Sequence, residues 1–162
     1  MDKADPLAVQ ARAVTEGTIL TDILIVDDDP EILSTLREIL EMNGFTVETS
    51  ANATDAIEKT KTTAFRIALL DIKLPDIEGT ELLGELKKLR PATKYIMVTG
   101  FASLENAIQS LNSGAAGYVM KPVNPAEIIS TIREKILEQE AEEKMTGNRV
   151  TEWATDQLLR LS

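Results

Sequence analysis

Two groups of acids in this chain stand where they could do chemistry. Asp27-Asp28-Asp29 follows the apolar tetrad Ile23-Leu24-Ile25-Val26, and Asp71 follows a second tetrad, Ile67-Ala68-Leu69-Leu70. A short apolar run of this kind has the length of a buried strand. An acid that closes such a run lies at the C-terminal edge of a sheet, where open parallel sheets bind ligands. Side by side, the two strands would gather Asp27, Asp28 and Asp71. Carboxylates that close together repel, and a proton or a hard divalent cation relieves them. The pattern is that of a metal held beside a reactive aspartate.

Asp71 is the candidate nucleophile, because a carboxylate can accept a phosphoryl group as an acyl phosphate. The incoming group adds negative charge to an acidic pocket. A Mg²⁺ held by Asp28 and Asp71, with Asp27 orienting a metal-bound water, would offset that charge. Magnesium suits a site of few carboxylates, several waters and phosphate oxygens. The remaining phosphoryl oxygens need donors, and two further strand ends supply them. Thr99 follows Tyr95-Ile96-Met97-Val98 and offers a hydroxyl; Lys121 follows Tyr118-Val119-Met120 and offers a point charge. Pro122 makes a cis Lys121-Pro122 bond accessible.

The elements that must position these residues alternate between strand and helix. Ile23–Val26 and Ile67–Leu70 are continuous apolar runs, the mark of strands buried on both faces. Phe45-Thr46-Val47-Glu48 alternates and reads as a half-exposed edge strand. Tyr95–Val98 and Gly117–Met120 complete five strands. Between them, helical spacing recurs. Pro30 opens a helix with Ile32, Leu36, Ile39 and Leu40 on one face, and Asn43-Gly44 stops it. Thr54 to Lys61 is a short helix. Pro75 and Gly79 bracket a loop, after which Leu82, Leu83, Leu86 and Leu89 stripe a helix that ends before Pro91. Ala107, Ile108 and Leu111 mark a helix closed near Gly114, and Ile128, Ile129, Ile132 and Ile136 mark the last one. Strict alternation implies an α/β fold with a parallel, doubly wound sheet and right-handed crossovers. An edge position for the second strand gives the order 2-1-3-4-5, which sets the Asp27/Asp28 strand beside the Asp71 strand.

Composition narrows the chemistry. The 162 residues are 43% apolar, enough for one domain with a real core and some excess. No cysteine is present, so disulfides and thiolate sites are excluded, and no histidine, so the chain cannot itself be a phosphohistidine donor. Seventeen Lys and Arg against 27 Asp and Glu give a net charge of −10, which opposes direct DNA binding. Neither a signal-peptide pattern nor an apolar run of membrane-spanning length is read, so a cytoplasmic protein is expected. Residues 1–20 are expected to be a flexible leader, with Leu7 to Val14 at most a short helix. After residue 140 the last helix turns acidic through Glu138, Glu140, Glu142 and Glu143, read as a solvated face. Gly147-Asn148 is expected to break it, and Val150, Ala154, Leu158 and Leu161 then fall at helical spacing beside Trp153. Residues 141–162 are therefore expected to form a helical extension that packs on the core, on another copy or on a partner, with core packing the plainer reading for Trp153.

Taken together, Ile-Val-Asp27-Asp28-Asp29-Pro30, Leu-Leu-Asp71-Ile-Lys-Leu-Pro75, Val-Thr99-Gly100 and Tyr118-Val-Met-Lys121-Pro122 resemble the receiver domain of two-component response regulators. The resemblance covers about residues 21–140, with the motifs in family order, and implies a flavodoxin-like (CheY-like) fold. It implies that Asp27 and Asp28 are the acidic pair, Asp71 the phosphoacceptor, Thr99 the switch hydroxyl, Lys121 the phosphate-binding lysine and Tyr118 the switch aromatic. The backbone carbonyl of Lys73 would join Asp27, Asp28 and Asp71 around Mg²⁺. Gly100 would leave room for the phosphoryl group. Lys73 and Phe101 fall where the family tunes hydrolysis: the Lys73 side chain either salt-bridges the pocket or stays in solvent, and Phe101 would screen attacking water. The implied partners are a sensor histidine kinase or phosphotransfer protein upstream, and a protein target or a second copy downstream. The implied chemistry is Mg²⁺-dependent self-phosphorylation and autodephosphorylation, without a metabolic reaction. Phosphorylation would change the surface made by the 103–113 helix, the last strand and the last helix.

Other readings stay in view. The same domain could be a phosphorylation-independent interaction module or a relay shuttle. A transcription regulator would need a helix-turn-helix or a basic stripe, which the tail lacks. An aspartate-based phosphohydrolase could use Asp27 with Asp29 two residues on, but it lacks a cap insertion and leaves Asp71 unexplained. A flavin site lacks its Ser/Thr/Gly-rich phosphate cradle. Asp29 itself reads as a turn or helix-capping acid.

Overall fold

The computed structural model describes residues 19–100 and 103–161. The expected leader helix near Leu7–Val14 and the side chain of Phe101 lie outside the described residues. The elements run β1 Ile19–Val26, α1 Pro30–Met42, β2 Val47–Ser50, α2 Ala53–Thr62, β3 Thr63–Leu70, α3 Gly79–Leu89, β4 Lys94–Thr99, α4 Leu104–Asn112, β5 Gly117–Met120 and α5 Pro125–Leu161. All strand pairs are parallel, in the order β2-β1-β3-β4-β5. This is the architecture expected from the alternation, and it makes β1 and β3 neighbours, with Val26 opposite Leu70.

Successive strand side chains point to opposite faces, so each apolar run feeds two cores. On one face Leu24, Val26, Ala68, Leu70 and Met97 pack under Ala53 and Ala56 of α2 and Leu82, Leu83 and Leu86 of α3. On the other, Ile23, Ile25, Ile67, Leu69, Ile96 and Val98 pack under Leu36 and Leu40 of α1 and Ile128 and Ile132 of α5. Each large apolar side chain so buried contributes about 1.5–3 kcal/mol. Helix α4 is anchored differently. Only Ser110 is buried on it, while Leu104, Ile108 and Leu111 are exposed.

Several boundaries differ from expectation, each for a local reason. The edge strand begins at Val47, not Phe45, because the Phe45 amide donates to Leu40 O and so belongs to the stop of α1. Gly44 makes that turn with φ 89°, a value L side chains avoid. β1 and β3 reach four residues further back than their apolar runs, pairing Ile19 with Thr63. Gly79 is the first residue of α3 and not merely part of a loop. The Gly147-Asn148 break is not there: α5 is one helix of 37 residues. Glycine in a helix costs about 1 kcal/mol relative to alanine but does not forbid helical backbone.

The root of α5 is locked to the sheet's N-terminal rim. Buried Gln139 donates from Nε2 to Arg66 O at 3.1 Å and Ala92 O at 2.7 Å. Glu140 pairs with Arg66 at 3.5 Å and Glu142 with Lys94 at 2.8 Å. The acidic run is thus partly a docking edge and not only a solvated face. Beyond it Met145, Trp153, Leu158, Leu159 and Leu161 are exposed, so the expectation that Trp153 packs on the core is not met.

Candidate functional site

The acids at the ends of β1 and β3 meet. Asp27, Asp28 and Asp71 each offer a carboxylate oxygen, and these atoms lie within 4.8 Å of one another. Asp27 and Asp71 are buried, at 2% and 4% exposure, whereas Asp28 is open to solvent. The Asp71 amide donates to Val26 O at 3.0 Å and the Asp27 amide to Ser50 O at 3.1 Å, so sheet hydrogen bonding carries on to the site itself. Asp29 caps α1, its Oδ1 accepting from the Glu31 amide at 2.9 Å, as its type and place predict.

Lys121 arrives from the end of β5. Its Nζ donates to Asp27 Oδ2 at 2.6 Å and to Asp71 Oδ2 at 3.3 Å. The Lys121-Pro122 peptide is cis. Asp27 Oδ1 is occupied by the Asp29 amide at 2.9 Å, so both oxygens of Asp27 have partners. Asp71 Oδ1 is buried and has none. Burial, reinforced by repulsion from Asp27, pushes the Asp71 carboxyl above the usual carboxylate range; Lys121 and a backbone hydrogen bond from Lys73 pull against this. Burial alone would pull Lys121 down, but its contacts with Asp27 and Asp71 outweigh this and hold it above its ordinary value.

Thr99 is wholly buried at the end of β4, where its carbonyl accepts from the Lys121 amide at 2.9 Å. Gly100 follows; a Cβ there would come no nearer than 3.9 Å to Lys121, so the space beside it is open. Tyr118 lies back against the core on the α3 face, with its hydroxyl buried and without a hydrogen-bond partner. The Lys73 side chain is half exposed, nearer the solvent-facing expectation than a salt bridge to the pocket. Its ammonium pairs with Glu78 at 3.1 Å, across the loop that follows Asp71.

Two residues of that loop have contacts at the site that the sequence reading did not assign. Gly79 donates to Ile72 O at 2.7 Å, and a Cβ on it would stand 1.9 Å from the Asp71 carbonyl oxygen. Only glycine lets α3 start this close to the acid. A glycine eight residues after a strand-ending aspartate was the available signal. Asp76, at the loop tip, accepts from the amides of Ala53 and Thr54, both at 2.9 Å, and from the Thr54 hydroxyl at 2.8 Å. No local pattern announces a contact between residues so far apart in sequence.

The donors suit a hard divalent cation. All are carboxylate oxygens, two are buried beside each other, and one of those has an oxygen without a partner. The partly buried Lys121 offsets part of the negative charge and leaves a deficit.

Fold and site together define a signalling receiver. Residues 23–133 match the response regulator receiver domain model, and the chain belongs to that family. A receiver domain protein (CheY-like) from Methanospirillum hungatei JF-1 superposes with a TM-score of 0.74 at 55% identity, covering 76% of this chain and 98% of that one. A response regulator from Burkholderia pseudomallei, solved with a phosphorylated aspartic acid, a calcium ion and citrate, superposes with a TM-score of 0.67 at 28% identity, over 78% of this chain and 74% of that one. The transcriptional regulatory protein ZraR of Klebsiella oxytoca is 31% identical over 131 residues, 81% of this chain but 29% of ZraR. The chain thus spans under a third of that relative. Receiver domains are signalling modules of two-component systems, fed by a phosphodonor such as a histidine kinase and read by downstream targets. Among the described residues, no helix is long and apolar enough to cross a membrane.

Proposed function

We propose that this protein is a cytoplasmic response regulator that accepts a phosphoryl group on Asp71 from a sensor histidine kinase or a phosphotransfer protein. One observation carries the reading: Asp71 is buried among Asp27, Asp28 and Lys121, raised in pKa, with one carboxylate oxygen unpartnered. Asp27, Asp28, Asp71 and the Lys73 carbonyl would hold Mg²⁺, which supplies charge neutralisation for an incoming phosphoryl group. The Burkholderia pseudomallei response regulator, solved with a phosphorylated aspartic acid and a calcium ion, supports both parts.

In the reaction, an oxygen of the ionised Asp71 carboxylate attacks phosphorus, the bond from phosphorus to the donor nitrogen breaks, and an acyl phosphate forms. Lys121 is placed to give up its hold on Asp71 and take a phosphoryl oxygen instead. The Thr99 hydroxyl donates to another. Tyr118 then follows Thr99. Its hydroxyl is buried without a partner, a state that costs about 1–3 kcal/mol, so the residue has a reason to change place. Signal output is the altered α4–β5–α5 surface, where Leu104, Ile108, Leu111 and Met120 are exposed, read by a protein target or a second copy. Residues 21–140 form the receiver in this reading, and 141–162 are the helical extension.

Intact-mass analysis after incubation with acetyl phosphate tests this on wild type and Asp71→Asn, with and without Mg²⁺. The expected result is a single phosphoryl adduct that needs Mg²⁺ and is absent from the variant. An adduct that persists in Asp71→Asn overturns the assignment and points to Asp27.

A further inference from the structure

We infer that Asp76 is a positioning residue for the cation site: its carboxylate latches the 72–79 loop, and with it the Lys73 carbonyl, to the N-terminus of α2. The inference rests on the proposed cation site and adds a residue outside it. The loop leaves β3 at Asp71 and enters α3 at Gly79, and Lys73 sits two residues into it. It is braced at three heights. Gly79 N donates to Ile72 O at its base, a Lys73–Glu78 bridge spans its middle, and Asp76 ties its tip to another element.

The tip contact is the one that reaches beyond the loop. A helix begins with amides that lack intrahelical partners. In α2 the Asp55 amide is capped locally by Asn52 at 2.8 Å. The Ala53 and Thr54 amides are capped instead by Asp76, which is anionic at a positive helix end. Hydrogen bonds from both amides and the Thr54 hydroxyl hold the Asp76 carboxyl far below the usual carboxylate range. α2 in turn is fixed, since Ala53 and Ala56 are buried in the core. A mostly exposed loop is thereby referred to the rigid body at the point opposite its attachment. Without the latch, the base and the middle bridge remain, but the segment carrying Lys73 loses its external reference. A cation that depends on a backbone carbonyl feels this directly, because outer partners that orient ligands strongly affect metal affinity.

The test is Mg²⁺ titration by calorimetry on the 162-residue wild type, Asp76→Ala and Asp76→Asn, with Tyr95→Phe as a control at the other end of the sheet. Asp76→Ala is expected to bind Mg²⁺ about fivefold to tenfold more weakly, near the low end for such partners. Asp76→Asn, which keeps one acceptor oxygen, falls between. Acetyl phosphate labelling of Asp76→Ala should slow at limiting Mg²⁺ and return to the wild-type rate at saturating Mg²⁺. Unchanged affinity in Asp76→Ala overturns the inference, as does an equal loss in Tyr95→Phe, which would mark general loosening. Wild type that binds no Mg²⁺ overturns the proposed cation site itself, and the role of Asp76 with it.

Discussion

The two rims of one sheet are built on opposite rules. At the C-terminal rim Asp27, Asp28 and Asp71 crowd around Lys121, and an oxygen of Asp71 has no partner. At the N-terminal rim most charges and polar groups are matched, although Oε1 of the buried Gln139 has no partner. Arg66 lies between Asp22 at 4.0 Å and Glu140 at 3.5 Å, Lys94 meets Glu142, Gln139 bridges two carbonyls, and Tyr95 reaches two more. Between the rims run the buried apolar stretches of β1, β3 and β4. The difference therefore lies in charge: three carboxylates face one lysine at the C-terminal rim, whereas at the N-terminal rim Arg66 and Lys94 each meet acids of their own.

Substitutions should separate the rims by the sign of their effect. The largest change is expected from Lys121→Met, which leaves Asp27 and Asp71 buried together without their cation. Urea unfolding at pH 7 should show a loss of about 3 kcal/mol, at the low end for a broken buried pair because Asp71 can take up a proton. Gln139→Ala comes next, losing about 2 kcal/mol for two buried hydrogen bonds, with no change in Mg²⁺ binding.

Asp71→Asn should move the other way and stabilise the metal-free protein by about 1–2 kcal/mol at pH 7. Burial raises the Asp71 pKa, so the fold favours its neutral form. Stability from that group is full below the unfolded carboxylate value of about 4 and is lost as pH rises through the raised folded value. The gain in the variant should accordingly shrink to nothing in melts carried down to that pH. A destabilised Asp71→Asn at pH 7 would break the contrast between the rims.

The smallest effect is that of Tyr95→Phe, about 1 kcal/mol near neutrality. Burial pushes the Tyr95 hydroxyl up to about 12. Its share of stability is present below about pH 10 and lost as pH rises through 12. Alkaline melts of the wild type should show that slope, and those of Tyr95→Phe should lack it.

The sequence makes one rim far more legible than the other. Asp27, Asp28, Asp71, Thr99 and Lys121 each close an apolar run, and period and order are enough to bring their strand ends together. The lower halves of β1 and β3 are hidden because Thr21, Asp22, Thr63 and Arg66 interrupt the apolar pattern, although the backbone pairs through them. Gln139 and Glu142 look like an ordinary solvated helix face until their partners on β3, β4 and the turn before β4 are in place. Asp76 and Gly79 are legible as turn residues, but what they touch depends on α2 and on the Asp71 backbone. Contacts that depend on a register or on a close approach have no local signature. Gly147 misled for a related reason, since a modest penalty does not amount to a stop.

The long final helix gives the molecule a mechanical ratio. It starts four residues after Lys121, makes an ion pair with the body at Glu142, and continues to Leu161. The part beyond residue 142 extends about 28 Å at the usual helical rise. A tilt of about 10° at its root would sweep the tip through about 5 Å, which follows from that same length. The side chains carried farthest are Leu158, Leu159 and Leu161, all exposed. A small change of angle at the root of α5 would thus be magnified at its exposed, leucine-bearing end.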